Sequence, residues 1–173
     1  MISRDQRILQ LLSAGGIQNG PDALIVSRQL QIPLSAILAM LENESGGANI
    51  FGNDQGQPNA LPRAWYGSHV TRAKYLLFRR RREKGMVSNG VGPAQLTSPG
   101  LQEQADSRGG CWKPLHNIYV GASYLSQHAG AGADWRNAFM DYNGSGPAAE
   151  AYAARAVAQM AAWHSVFEQH GLT

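Results

Sequence analysis

Along this chain the apolar residues recur mostly at three- and four-residue intervals, the spacing that gives an α-helix one buried face. Ser3 and Gln6 form a capping-box pattern, Ile8, Leu9 and Leu12 supply the stripe behind it, and Gly15-Gly16 ends this first helix. Pro21 sits where a first helical turn tolerates proline, and the run Ala23 to Leu30 predicts a short second helix that Gln31-Ile32-Pro33 interrupts. After Pro33, the residues Leu34, Ile37, Leu38 and Leu41 predict a helix with one buried face, and Gly46-Gly47 stops it. This is the best-defined helix of the sequence.

Two stretches break the pattern. Gly46 to Gly67 is rich in Gly, Asn, Pro and Asp and is too long for a simple connector, so it reads as a functional loop forming a cleft wall. Val87 to Gly100 is a second loop of Gly, Pro and Ser. Between them, Thr71 to Lys84 reads as a basic helix, and Pro114 to His128 predicts a helix with Ile118, Gly121, Ala122 and Leu125 inward. Helices from about Asp134 to Tyr142 and from about Pro147 to Gln169 close the chain. The last is Ala-rich, with Val157, Met160, Ala161 and Trp163 or His164 expected near its buried face. There is no internal repeat, low-complexity tail or clear strand alternation, although the long loop leaves room for a small β-hairpin. The expected fold class is mainly α, with long loops lining a cleft.

Composition narrows this further. At 173 residues and 43% hydrophobic, the chain can bury one core and is short for two domains, so residues 1–173 are read as a single domain. No apolar run approaches the roughly 20 residues of a membrane span, and Met1 to Gly20 lacks the signal-peptide pattern. Membrane insertion is therefore not expected. Cys111 stands alone, which excludes an internal disulfide and suits synthesis in a reducing cytosol, with action elsewhere still open. A formal charge of +3 favours an anionic partner such as a bacterial wall, nucleic acid or an acidic surface. The excess sits in Arg79, Arg80, Arg81, Arg82 and Lys84, a run that reads first as a solvated helix face.

Among the groups able to carry chemistry, Glu44 stands out at the end of the best helix, where the chain turns into the long polar loop. Orphan carbonyls at a helix C-terminus disfavour a negative charge, and the nearby Leu38 and Leu41 add desolvation. Both effects raise its pKa, as a general acid for glycosidic cleavage requires. Glu42 flanks the same apolar stripe but lies about 200° away around the helix, so the two carboxylates cannot share a site. Periodicity does not choose between them. Asp54 reads either as a holder of water or second charge, or as a turn-former bonding its own backbone. His69, His116, His128, His164 and His170 form no metal-ligand pattern, so neither metal nor cofactor is expected. Gly90-x-Gly92-x-x-Gln95 misses a dinucleotide fingerprint by one residue and lacks a preceding strand, and no strand-turn-helix motif supports a serine nucleophile.

The choice of Glu44 rests on the adjoining motif. Glu44-Ser45-Gly46-Gly47, following Leu34-Ser35-Ala36-Ile37-Leu38-Ala39, resembles the catalytic-helix ending of the lytic transglycosylase and goose-type lysozyme family. In the family's order come Gly92-Pro93-Ala94-Gln95-Leu96, similar to its Gly-Leu-Met-Gln segment, then Asn117-Ile118 with Gly121 and Tyr124-Leu125. Phe139-Met140-Asp141-Tyr142-Asn143-Gly144 is similar to its Ala-Tyr-Asn-Gly element. The resemblance extends from about Pro33 to Tyr152. In wording, Asn49-Ile50-Phe51-Gly52-Asn53-Asp54, Asn89-Gly90-Val91-Gly92-Pro93 and Gly110-Cys111-Trp112 resemble transglycosylase-like domains in endolysins of phages infecting actinobacteria. Pro93-Ala94 departs from the usual Leu-Met and is expected to reshape the cleft floor.

The resemblance implies a lysozyme-like helical fold, bacterial peptidoglycan as substrate, and Glu44 as sole acid/base. It maps Gln95, Tyr142 and Asn143 to the sugar site, and Ser45 to the serine beside the acid. A lytic transglycosylase closes a 1,6-anhydro ring without water, whereas in goose-type lysozymes a loop aspartate, near the place of Asp54, positions water for hydrolysis. The resemblance implies a monomer without nucleic-acid partners, made in the host cytoplasm and acting on the cell wall. The residues alone leave other readings: Gln95 bonding loop backbone, Tyr142 as a satisfied core aromatic, Asn143 as a left-handed helix cap. The alternative of another class is a binding module, either wall-binding or a nucleic-acid binder using Arg79 to Arg82 with Tyr75 and Phe78.

Overall fold

The computed structural model describes residues 2–54, 56 and 58–172, and eight α-helices with one short 3-10 helix, Arg63–Trp65, supply the regular structure among them. Gln55 and Gln57 of the first long loop lie outside the described residues. The fold is mainly helical, and no helix is long and apolar enough to cross a membrane among the described residues. Helix α1 (Arg4–Ala14) opens on the capping box: the Ser3 hydroxyl accepts from the Gln6 amide at 3.2 Å, and the Gln6 side chain accepts from the Ser3 amide at 2.9 Å. Helix α2 (Gly20–Leu30) takes Pro21 in its first turn, where no intrahelical bond is lost.

Helix α3 (Leu34–Glu44) corrects the expectation of one buried face. Every residue from Ser35 to Leu41 is buried, because α2 and α8 pack against it and its small residues Ala36 and Ala39 admit close neighbours. A helix apolar all round belongs in a core. The remaining helices are α4 (Arg72–Glu83), α5 (Pro99–Ser107), α6 (Pro114–Ala129), α7 (Trp135–Asn143) and α8 (Pro147–Gln169). Helix α6 packs on α2, α5 and α7, and α7 packs on α8. Ile118, Gly121, Ala122 and Leu125 of α6 face inward, as their spacing predicts.

The register of α8 differs from expectation. Its buried stripe is Ala149, Tyr152, Ala153, Ala156, Trp163 and Phe167, while Val157, Ala161 and His164 face solvent. Trp163 and the half-buried Met160 lie on the expected side, whereas alanines carry the rest of the face because α8 must approach α3 closely, and Val157 marks the wrong side.

Helix α5 lies partly in, and beyond, the segment read as a loop. Its inward residues are Gln102 and Ala105, which give no apolar stripe to detect. Gln102 donates from its amide nitrogen to the carbonyls of Asn89 at 3.0 Å and Leu96 at 2.6 Å, and its oxygen accepts from Arg82. This network corrects the solvated reading of the basic run. Arg82 is buried and pairs with Glu103 at 3.0 Å, while Arg79 pairs with Asp106 at 3.2 Å and Glu83 at 3.1 Å. Polar partners on α5 and within α4 turn two of the arginines from water to protein. Tyr75 and Phe78 are buried too, Phe78 against Phe51 and Tyr75 against Trp112.

Where a hairpin had room, the described residues form only isolated bridges: Ile50 with His69, Phe51 with Val91, and Asn59 with Val87. Gly and Pro on either side stop each pairing after a residue or two. The bridges still lace the two long loops together. Asn117 of α6 completes the lacing, accepting from the Ala94 amide at 2.8 Å and donating to the Val91 carbonyl at 2.8 Å. Gly92 passes so close that a Cβ there would sit 2.5 Å from the Asn117 amide, and its φ of 77° is a left-handed value. Asn117→Leu leaves a buried donor and acceptor unpaired, and urea unfolding should show a loss of about 2 to 4 kcal/mol; an unchanged midpoint would refute this account.

Candidate active site

The core helix α3 ends at Glu44, and the chain leaves it through Ser45, whose amide donates to the Leu41 carbonyl at 2.9 Å. There the side chain of Glu44 reaches a cavity of about 610 Å³. Asn53 and Asp54 from the first long loop, Gln95 from the second, Tyr124 from α6, and Tyr142 and Asn143 from α7 line the same space. Of the residues singled out in the sequence, Glu44, Asp54, Gln95, Tyr142 and Asn143 are thus brought together. Ser45 is not among the lining residues. Its hydroxyl donates to the Pro93 carbonyl at 2.8 Å, fastening the end of α3 to the second loop.

Burial is the main cause that pushes the Glu44 carboxyl up to about 7. The hydroxyl of Tyr152, donating to Glu44 Oε1 at 2.7 Å, works in the opposite direction, and the charge of Asp54 adds a smaller upward push. The groups around the carboxyl therefore include tyrosines of α7 and α8. Burial and the Glu44 charge in turn raise the hydroxyls of Tyr142 and Tyr152, which remain donors. Near neutral pH Glu44 is poised between giving and taking a proton.

Asp54, Gln95 and Tyr142 are each held by backbone. Asp54 bonds across the loops rather than to its own turn: its Oδ2 accepts from the Gly90 amide at 2.6 Å, and its amide donates to Asn89 Oδ1 at 3.1 Å. Gln95 donates to the carbonyls of Ile50 at 3.0 Å and Gly92 at 2.7 Å, so it braces the loops while lining the cavity. Its φ of 45° is left-handed, strain that these bonds hold in place. Tyr142 donates to the Ala94 carbonyl at 2.7 Å and meets Tyr124 edge-on, centroids 5.8 Å apart. Gly121 permits this, since a Cβ there would lie 2.5 Å from Ala94 Cβ and 3.0 Å from the Tyr142 hydroxyl. Asn143 is exposed at the last position of α7, and the C-cap is Gly144, at a φ of 127°, so Asn143 is not a left-handed cap.

Glu42 is turned elsewhere, its Oε1 accepting from Trp163 Nε1 at 3.1 Å, so the two glutamates do occupy separate surroundings. Sequence reasoning missed Tyr152, Asn53 and Tyr124 as members of the site. Tyr152 belongs to the Ala149-Tyr152-Ala153-Ala156 stripe, the signal that points it at α3. Among the described residues, no group of three or more His, Cys, Asp or Glu side chains is placed to hold a metal ion.

The raised carboxyl has a consequence for stability. A glutamate whose folded value is about 7 against an ordinary 4.5 favours the folded state while protonated, and that contribution is lost as pH rises from about 4.5 to about 7. Glu44→Gln should therefore be more stable than wild type at pH 8, by about 1 to 3 kcal/mol, with the difference vanishing below pH 4. Parallel thermal melts across this range check it, and equal curves at all pH values would show a solvated carboxyl. Comparison with known protein families, with curated proteins and with solved structures gives no match to this chain.

Proposed function

We propose that this protein cleaves the β-1,4 glycosidic bond between MurNAc and GlcNAc in bacterial peptidoglycan, by lytic transglycosylation with Glu44 as acid and then base. The observation that carries this reading is a single glutamic acid held near pKa 7 at the floor of a polar, loop-walled cleft. The ordered motifs Glu44-Ser45-Gly46-Gly47, Gly92-Pro93-Ala94-Gln95 and Tyr142-Asn143-Gly144, similar to those of lytic transglycosylases and goose-type lysozymes, meet at this cleft.

Protonated Glu44 gives its proton to the leaving GlcNAc oxygen as the glycosidic C–O bond breaks. The carboxylate so formed lies beside the electron-poor anomeric carbon, and Asp54 adds negative charge from the same cavity. Glu44 then removes the proton of the muramic-acid 6-hydroxyl as that oxygen closes the 1,6-anhydro ring. The carboxyl is restored and no water is consumed. Tyr124, Tyr142, Gln95 and Asn143 line the space the sugar would enter, and no cofactor enters.

A second reading is hydrolysis, favoured by one observation: the Asp54 carboxylate, fixed by the Gly90 amide, faces the same cavity as Glu44 and can hold a water there. Digestion of purified peptidoglycan with mass spectrometry of the released ends separates the readings. Anhydro ends are expected from wild type, with release by Glu44→Gln lower by a factor of about 100 to 10,000 and release by Asp54→Asn largely retained. Reducing ends, lost in Asp54→Asn, would make the enzyme a muramidase, and equal release by Glu44→Gln would remove Glu44 from the mechanism.

The acid form of Glu44 starts the reaction, so activity should fall as pH rises through about 7. Tyr152→Phe removes the bond that lowers this carboxyl, and its alkaline limb should move to higher pH. Identical pH–rate profiles for the two proteins would show that Tyr152 does not tune the acid.

A further inference from the structure

Helices α6 and α7 supply Tyr124, Tyr142 and Asn143 to the lining of the Glu44 cleft. Tyr124 is half-buried, and its ring has two aromatic neighbours. One is Tyr142, edge-on with centroids 5.8 Å apart and itself fixed by its bond to the Ala94 carbonyl at 2.7 Å. The other is the imidazole of His128, with centroids 4.4 Å apart and planes inclined at 59°. His128 stands one turn further along α6, the place from which a helical side chain leans back over the residue four before it.

His128 is tied in turn from α7. Its Nδ1 lies 3.2 Å from Asp141 Oδ2, and because a carboxylate only accepts, that nitrogen carries the hydrogen and donates it. Consecutive residues of α7 thus meet residues one turn apart on α6: Asp141 takes His128, and Tyr142 takes Tyr124. The imidazole and carboxylate are 33% and 47% exposed, so their pairing adds little to stability. Its effect is geometric. His128 belongs to the last turn of α6, where helices fray, and the tie keeps its ring against Tyr124.

We propose that His128, tied by Asp141, is a positioning residue that fixes the Tyr124 side chain in the cleft wall and so strengthens binding of the glycan strand. Immobilising a free side chain as a ligand arrives weakens affinity by roughly two- to tenfold, and a side chain already held avoids that loss. Neither His128 nor Asp141 lines the cavity, so the effect falls on binding and not on proton transfer. Only the identity of the occupant as a glycan strand rests on the cleavage proposed above.

Two measurements test this role. The first needs no ligand: in NMR spectra of the isotopically labelled full chain, His128→Ala should shift the Tyr124 ring signals and leave those of the core residue Tyr75 in place. The second is an equilibrium titration with a short soluble glycan strand, in the Glu44→Gln background so that the strand stays intact. There His128→Ala should weaken binding about fivefold, and in the Glu44 enzyme it should raise KM by a similar factor with kcat within about twofold of wild type. Asp141→Ala should weaken binding about twofold. His128→Phe keeps a ring beside Tyr124 and should restore affinity to within about twofold. Added to Tyr124→Ala, His128→Ala should cost nothing more, as expected of a residue that acts through Tyr124. Unchanged Tyr124 signals, equal affinity in His128→Ala, losses that add in the double variant, or a fall in kcat at constant KM would each overturn the role. Wild-type affinity in Asp141→Ala would remove the tie, and failure of His128→Phe to restore binding would overturn the ring contact. A strand that does not bind, beside Tyr124 signals that answer to His128→Ala, would overturn the glycan as occupant and uphold the hold on Tyr124.

Discussion

The constraint on which this molecule turns is that its central helix has no face in water. From Ser35 to Leu41, α3 is enclosed, so beyond Ser35 its polar residues are confined to the last turn and must find partners there. One neighbour supplies them in succession: on α8, Trp163 donates to Glu42, Gln159 and Arg155 meet Asn43, and Tyr152 donates to Glu44. Two carboxylates two positions apart thus acquire different fates. Glu42 receives an indole donor on one side of the helix, and Glu44 is left in a desolvated corner that opens on the cleft. The proposed acid is a product of packing between two helices far apart in sequence, and its proton affinity is set by the helix that covers it.

The rest of the cleft follows a different logic. Its walls are loops without a continuous sheet, and loops need cross-ties if they are to present side chains at fixed positions. Asn117, Gln102, Gln95, Asn89 and Asp54 provide them, each bonding to main-chain amides or carbonyls. Polar residues inside the protein thereby do what a sheet does elsewhere, satisfying backbone groups that burial would otherwise leave stranded.

Legibility in the sequence divides along these lines. The helices with apolar stripes, such as α1 and α6, are readable because burial of one face leaves a period in the residues. Helix α5 is hidden because its inward residues, Gln102 and Ala105, are a polar anchor and a small filler. The face of α8 is legible only at Met160 and Trp163, because elsewhere close approach to α3 selects alanine, and alanine is too common on either face to mark one. Arg82 is hidden in a run of like residues, since nothing local distinguishes the arginine that meets Gln102 and Glu103 from those in water. At the site, Glu44, Asp54, Gln95, Tyr142 and Asn143 are legible through ordered short motifs, and position along a helix would not have preferred Glu44 to Glu42. Tyr152 escapes because its role depends on where α8 lands, which no local pattern records.

The cross-ties have one more consequence, for variation. Because the ties grip main chain, the outline of the wall depends on the path of the backbone and on the few residues that hold it. Positions between the anchors, Thr97 and Ser98 among them, line the cleft and contribute backbone that any compatible residue supplies. Substitution there alters what the cleft offers a ligand while its contour persists. A wall built in this way can drift far in sequence and still keep its shape.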